Sequence, residues 1–138
     1  NVGCISLDTH WDSEPIDFLT KDSRIAGSES WKHKMYQLHK NMNPRHLVEI
    51  GERGMLEDKN IVRKYLQQGT RFISSWELRT SLGIDGLIKE LDRAYNGTDS
   101  VYAHFDMDVI GGAGPASGDI LGEAAEPIGL TEDRKSVV

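Results

Sequence analysis

Short apolar runs alternate along this chain with longer stretches of helical periodicity. Val2–Leu7 is a nearly unbroken apolar run, the pattern of a strand buried on both faces. From Ser28 to Met42 the apolar positions Trp31, Met35, Leu38 and Met42 fall on one helical face, and Asn43-Pro44 stops the helix. Leu47, Val48 and Ile50 form a second strand. Leu56, Ile61, Val62, Tyr65 and Leu66 suit a helix closed by Gly69, and Phe72-Ile73 gives a short third strand. Ile84, Leu87, Ile88 and Leu91 mark another helix ending at Asn96-Gly97, and Val101–Phe105 is a fourth strand. The order β-α-β-α-β-α-β implies parallel strands joined by right-handed helical crossovers, hence a three-layer α/β domain. Two irregular stretches, 8–27 and 109–130, each follow a strand and exceed the usual α/β loop of about 2–6 residues.

Composition narrows the function classes. The 138 residues hold 16 Lys+Arg against 22 Asp+Glu, a net charge of −6, which argues against a nucleic-acid surface. No apolar run approaches the ~18 residues of a membrane span. A single cysteine excludes an internal disulfide and no secretory pattern opens the chain, so a reducing, cytoplasmic compartment is expected. Cys4, inside a strand, reads as a small hydrophobe.

The chemistry lies where two strands end. Asp8-Thr9-His10-Trp11-Asp12 follows the first strand and Asp106-Met107-Asp108 follows the fourth. In a parallel sheet both clusters emerge on the carboxyl edge, where open α/β sheets bind ligands. Four carboxylates brought together repel unless a cation neutralises them. Oxygen donors with one imidazole suit Mn²⁺ or a similar divalent ion better than a thiolate-preferring metal. Either cluster alone reads as solvated polar sequence; the pair, each set directly after an apolar run, points to metal binding through Asp8, His10, Asp12, Asp106 and Asp108.

These motifs resemble the ureohydrolase (arginase/agmatinase) family. Asp8-Thr9-His10-Trp11-Asp12 is similar to its D-A-H-x-D motif, with Thr9 for the usual Ala. Phe105-Asp106-Met107-Asp108-Val109 is similar to S-F-D-x-D, with His104 where Ser is common. Leu47–Gly54 resembles a strand ending in I-G-x-R-G, and Gly129-Leu130-Thr131 resembles G-G-L-T. The matches run from residue 2 to 131 in the family's order. The resemblance implies an incomplete three-layer α-β-α fold of the arginase/deacetylase-like type over residues 1–132. It implies a binuclear hydrolase of a guanidino compound, agmatine-like or guanidine itself, that uses two divalent ions: Mn²⁺, with Ni²⁺ as the alternative. One ion would take Asp8, Asp12, Asp106 and a histidine from an upstream motif; the other would take Asp8, His10, Asp106 and Asp108. A metal-bridging hydroxide, oriented by Asp12 as the catalytic residue, would attack the guanidinium carbon and release urea or a related product. A homo-oligomer, trimer or hexamer, is expected of the full-length parent.

The chain also departs from the pattern. Gly111-Gly112 replaces D-P after the second cluster, and Ile25-Ala26-Gly27-Ser28 stands where many members carry His-Gly, which removes a proton-shuttling histidine. Asp133–Val138 matches a translated sequencing adapter and reads as a non-native tail. The upstream metal histidine and the downstream guanidinium-gripping acid are not found, so the chain as given is expected to bind metal poorly and to be inactive. The missing upstream strand is expected to neighbour Val2–Leu7 and to leave it an exposed edge. Two other readings compete: a Mg²⁺-dependent haloacid-dehalogenase-type phosphatase built on Asp106-Met107-Asp108, and a non-catalytic relative. Among the remaining residues, His33 and His39 read as solvated, His46 as a loop residue and His104 as a satisfied core histidine. Trp31 and Trp76 read as core, Trp11 as either pocket wall or packing, and the glycines at 111, 112, 114 and 118 as a flexible loop.

Overall fold

The structure is a computed structural model that describes residues 1–15, 26–52 and 58–110. The expected glycine loop, the Gly129-Leu130-Thr131 stretch, Arg53-Gly54, Ile25, Leu56 and the tail 133–138 lie outside the described residues. Four strands form one sheet: β1 (Val2–Leu7), β2 (Met42–Glu52), β3 (Arg71–Ser74) and β4 (Ser100–Phe105), in the order β3-β2-β1-β4. All three pairings are parallel. The helices are α1 (Trp31–Leu38), α2 (Lys59–Gln67), the single turn α3 (Ser75–Glu77), and α4 (Gly83–Tyr95), with a π-helical turn at Leu78–Leu82 between the last two.

Side-chain alternation divides the core between the two sheet faces. Ile5, Leu7, Val48, Ile50 and Ile73 meet Leu78, Leu87, Leu91 and Ala94 on the α4 side. Cys4 and Leu47 meet Trp11, Val62 and Tyr65 on the other, with Met35 and Tyr36 of α1 packed against them. Each fully buried aliphatic side chain contributes about 1.5–3 kcal/mol. The α4 layer approaches β1 closely because residue 3 is glycine: a Cβ there would lie 1.9 Å from the Ala94 carbonyl oxygen. Local signals set the other helices. Asp58 caps α2 by accepting from Asn60 N (2.7 Å), and the Ser74 hydroxyl accepts from Glu77 N (3.0 Å). Arg71 of β3 pairs with Glu77 and with Glu90 of α4, tying the edge strand down.

The first expected helix is shorter than its apolar periodicity suggests. It ends at Leu38, which is 71% exposed, and His39 is already extended. Met42 lies in β2 and pairs with Val2, because Asn43 precedes Pro44 and is steered to extended backbone. The register shifts between Val2 and Cys4, and such an irregularity tolerates a residue with no N–H, as Pro44 has. β1 is not an edge: β2 flanks it on one side and β4 on the other. Among the described residues, the edge strand beside β1 is β4, where Tyr102 and Phe105 are each more than 40% exposed. Trp76 is 74% exposed rather than core, since α3 turns it outward, and His46 sits within β2 with Nδ1 3.0 Å from the Arg93 carbonyl. Trp11 is packing: it is buried and stacks on Phe72 at 3.6 Å between ring centroids. No helix among the described residues is long and apolar enough to cross a membrane.

Candidate metal centre

The strand order 3-2-1-4 reverses between β1 and β4. The chain runs β1 to β2 to β3 in one direction, then returns through α4 to place β4 on the far side of β1. The crevice at such a switch point lies beyond the carboxyl ends of the two strands. Leu7 and Phe105 are register partners, so Asp8 and Asp106 leave the sheet side by side.

Backbone donors hold the carboxylates in place. Asp8 Oδ1 accepts from His10 N at 2.8 Å. Asp106 Oδ1 accepts from Asp108 N at 3.0 Å and so caps a short 3-10 turn, Met107–Val109. The two loops are stitched together: Thr9 N donates to Asp108 Oδ1 (3.1 Å), Thr9 Oγ1 donates to the Asp108 carbonyl (2.9 Å), and His10 Nδ1 lies 2.8 Å from Asp108 Oδ2. Asp12 sits at φ +48°, a left-handed conformation that Asp tolerates at a cost of order 1–3 kcal/mol. The start of α1 secures it, since the Asp12 carbonyl accepts from Lys32 N (3.1 Å) and its Oδ2 accepts from the Trp31 indole N–H (2.9 Å). Gly51, at φ +108°, lets the end of β2 pass under the site; a Cβ there would meet Val109 at 2.3 Å and the Asp8 carbonyl at 3.2 Å.

All five residues singled out in the sequence converge. Asp8, His10 and Asp108 form one group whose ligand atoms lie within 4.8 Å of one another, and Asp8, Asp12, Asp106 and His104 form another. Asp8 belongs to both. Two residues of the site were not foreseen. His104 is not a satisfied core residue: its Nε2 is 3.4 Å from Asp8 Oδ2 and makes no hydrogen bond. Its place two residues before Asp106 on a strand was the available signal. Lys32 is fully buried beneath the site, with Nζ 2.7 Å from Glu49 Oε1 and 4.0 Å from Asp8 Oδ2. The apolar periodicity of α1 pointed to the other residues of that helix. The signal for Lys32 was Glu49, a carboxylate inside the otherwise apolar run Leu47–Ile50, which requires a cation when buried.

The electrostatics follow from crowding. Burial raises the Asp12 carboxyl and the neighbouring Asp8 charge raises it further, to about 8, although Lys32 and the Trp31 N–H oppose the rise. Asp106 is also raised, chiefly by burial and by the charges of Asp108 and Asp8. Burial would raise Asp8 as well, but His104, Lys32 and the His10 N–H together pull it below its ordinary value. The hydrogen bond to Asp108 is the main reason that His10 is raised to about 9, against the effect of its burial. Asp8 Oδ2 is a buried oxygen with no hydrogen-bond partner at the centre of this cluster. An orphaned carboxylate oxygen among repelling acids and two imidazoles fits a divalent cation that prefers mixed O/N donors.

The sequence matches the Arginase family model over residues 1–118. The chain belongs to the arginase family. No curated protein matches it significantly. Among solved structures, the chain is similar to proclavaminate amidino hydrolase from Streptomyces clavuligerus, at 24% identity and TM-score 0.72 over 99% of this chain and 40% of that one. It is similar to the agmatine ureohydrolase of Thermoplasma volcanium, at 26% identity and TM-score 0.66 over 97% of this chain and 40% of that one. Trypanosoma cruzi formiminoglutamase, solved with Mn²⁺, matches at 16% identity and TM-score 0.70 over 99% of this chain and 42% of that one. The chain thus spans about two fifths of the length of these arginase-family relatives. The arginase-family assignment leaves the phosphatase reading without support, because that reading has no use for Asp8, His10 and Asp12 gathered around Asp106 and Asp108.

Proposed function

We propose that the protein from which this sequence derives is a metal-dependent hydrolase of a guanidino or amidino compound, with agmatine-like substrates or guanidine as the leading class. The observation that carries this reading is the convergence of Asp8, His10, Asp12, Asp106 and Asp108 at the switch point of an arginase-family sheet. In this reading Asp8 and Asp106 would donate to both of two divalent ions, His10 and Asp108 to one of them and Asp12 to the other. Mn²⁺ is the expected metal. When bound, divalent ions make water nucleophilic at neutral pH and polarise the bond to be cleaved. The remaining work falls to the chain. Trp31 fixes one oxygen of Asp12, so that this carboxylate meets the reactants in a single orientation and its helix α1 screens that side of the site. The Thr9 and His10 contacts hold Asp108 against the first loop, which fixes the spacing of the donors without help from substrate. Such preorganisation is what hydrolysis of a resonance-stabilised carbon requires.

The test is hydrolysis of a panel containing agmatine, guanidine, arginine and formiminoglutamate by the Mn²⁺-loaded protein, followed as urea, ammonia or formamide release. The reading expects turnover of at least one member and its loss in Asp106→Ala together with bound metal. Turnover of phosphate esters with Mg²⁺ and of none of these compounds would overturn it.

A further inference from the structure

We propose that His104 is a metal ligand of this chain's own, completing with Asp8, Asp12 and Asp106 the donor set of one of the two ions. This rests on the reading of the site as a metal centre and goes beyond it by naming a donor at a position where the family commonly carries serine. Four observations support it. One ligand atom each from Asp8, Asp12, His104 and Asp106 lies within 4.8 Å of the others. Donors around one ion at about 2.0–2.2 Å are separated by up to about 4.4 Å, so only small side-chain adjustments are needed. His104 Nε2 is a buried atom with no hydrogen bond, and the oxygen it faces at 3.4 Å, Asp8 Oδ2, has none either. The Asp8 side chain is 1% exposed and that of His104 20%, so the two atoms face each other in a largely buried contact at ion-pair distance without a hydrogen bond. The ring is also held in place: it packs against the Trp31 indole with centroids 4.4 Å apart, and the same indole donates to Asp12. Trp31 therefore positions two of the four donors at once.

The backbone supports the assignment. His104 and Asp106 are two residues apart, at the end of β4 and just past it, and the register partner of His104 in β1 is Ser6, two residues before Asp8. From this position the imidazole comes within 3.4 Å of Asp8 Oδ2, the oxygen at the centre of the cluster. The expectation of poor metal binding rests on an upstream imidazole for the Asp8/Asp12/Asp106 ion; with His104 as that donor, this chain carries an imidazole for each ion and the expectation becomes binding of two. Each of the two donor groups contains one imidazole, His10 in one and His104 in the other.

The experiment titrates the 138-residue protein and its His104→Ser variant with MnCl₂ by calorimetry. In parallel, ¹⁵N spectra of the histidine rings are recorded while the wild type is titrated with diamagnetic ZnCl₂. His104→Ser restores the residue common in the family and supplies the resonance assignment by difference. The expected results are two ions bound by the wild type, at least about tenfold weaker binding of one of them in the variant, and a shift of the His104 Nε2 resonance as Zn²⁺ binds. Two ions bound with unchanged affinity in His104→Ser, or a His104 resonance that stays put while the His10 resonance moves, would overturn the assignment and leave the metal centre standing. No saturable binding by the wild type would overturn the metal reading itself and this inference with it. Even if the variant does not fold, the wild-type spectra decide the matter by count: two rings shifting with Zn²⁺ are expected, His10 and His104, and a single shifting ring would overturn the assignment.

Discussion

Replacing Lys32 with methionine should be among the most damaging single changes outside the donor set. The ammonium is fully buried and 2.7 Å from a Glu49 carboxylate that is itself 2% exposed. Burial alone would drive the Lys32 ammonium toward its neutral form, but Glu49 and Asp8 more than compensate and keep it charged. Methionine preserves volume, so the loss is electrostatic. Removing one partner of a buried pair costs about 3–5 kcal/mol, because the other charge stays behind uncompensated. Glu49 can lower this cost by taking up a proton: burial already pushes its carboxyl up to about 7 even with Lys32 beside it. In Lys32→Met the folded value rises further above the unfolded 4.5, so the folded state binds the extra proton. The sign follows: stability of the variant falls as pH rises above about 4.5, and its deficit against wild type is larger at pH 8 than at pH 5.5. Urea unfolding followed by tryptophan fluorescence at the two pH values measures both quantities. Lys32→Met/Glu49→Leu should recover most of the loss, since an apolar pair of similar size is often neutral or better. A Lys32→Met variant within about 1 kcal/mol of wild type at pH 8, or a double variant no more stable than the single one, would refute this account of the pair.

Gly3→Ala should destabilise by about 1–3 kcal/mol in urea unfolding, since its Cβ would have to push α4 away from β1. Gly51→Ala adds strain at φ +108° to a clash with Val109, and should weaken Mn²⁺ binding as well as stability, because the same Cβ presses on the Asp8 carbonyl. Trp31→Phe keeps the packing on His104 but loses the N–H to Asp12. It should weaken Mn²⁺ binding by about tenfold or more in calorimetry while leaving the urea midpoint nearly unchanged. Cys4 is buried and its thiol is pushed up to about 12, mainly by burial, so a thiol reagent should label it only in denaturant; rapid labelling of the native protein would contradict the placement of β1 in the interior.

Much of this fold is legible because parallel strands announce themselves as apolar runs. Val2–Leu7, the Leu47–Ile50 region, Phe72-Ile73 and Val101–Phe105 all lie in the strands they predict. The convergence of the two acidic clusters follows from topology alone, since parallel strands share a carboxyl edge. What was hidden depends on which neighbours a residue meets. A strict helical period from Trp31 to Met42 describes four apolar residues, yet α1 buries Lys32 and Lys34 and leaves Leu38 in solvent. Lys32 is turned inward by Asp8, just past β1, and Glu49 of β2, and periodicity carries no information about a charge partner in another element. The same holds for His104: alternation placed it on the Asp106 face, but only the position of Asp8 across the β1–β4 pairing shows that its nitrogen faces an unsatisfied oxygen. The strand order was likewise beyond the sequence pattern, which fixes β1 as buried without saying that β2 and β4 flank it.

The central claim is that Asp8, His10, Asp12, Asp106 and Asp108 form a centre for two divalent ions, and Mn²⁺ stoichiometry tests it most directly. Purified protein, stripped with chelator and dialysed against Mn²⁺, is assayed for bound metal per chain beside Asp8→Ala and Asp106→Ala. Two ions per chain in the wild type and none retained by either variant is the predicted result, since in the proposed centre each substitution would remove a donor to both ions. Wild type and both variants retaining the same metal content, or none of the three binding any, would contradict it.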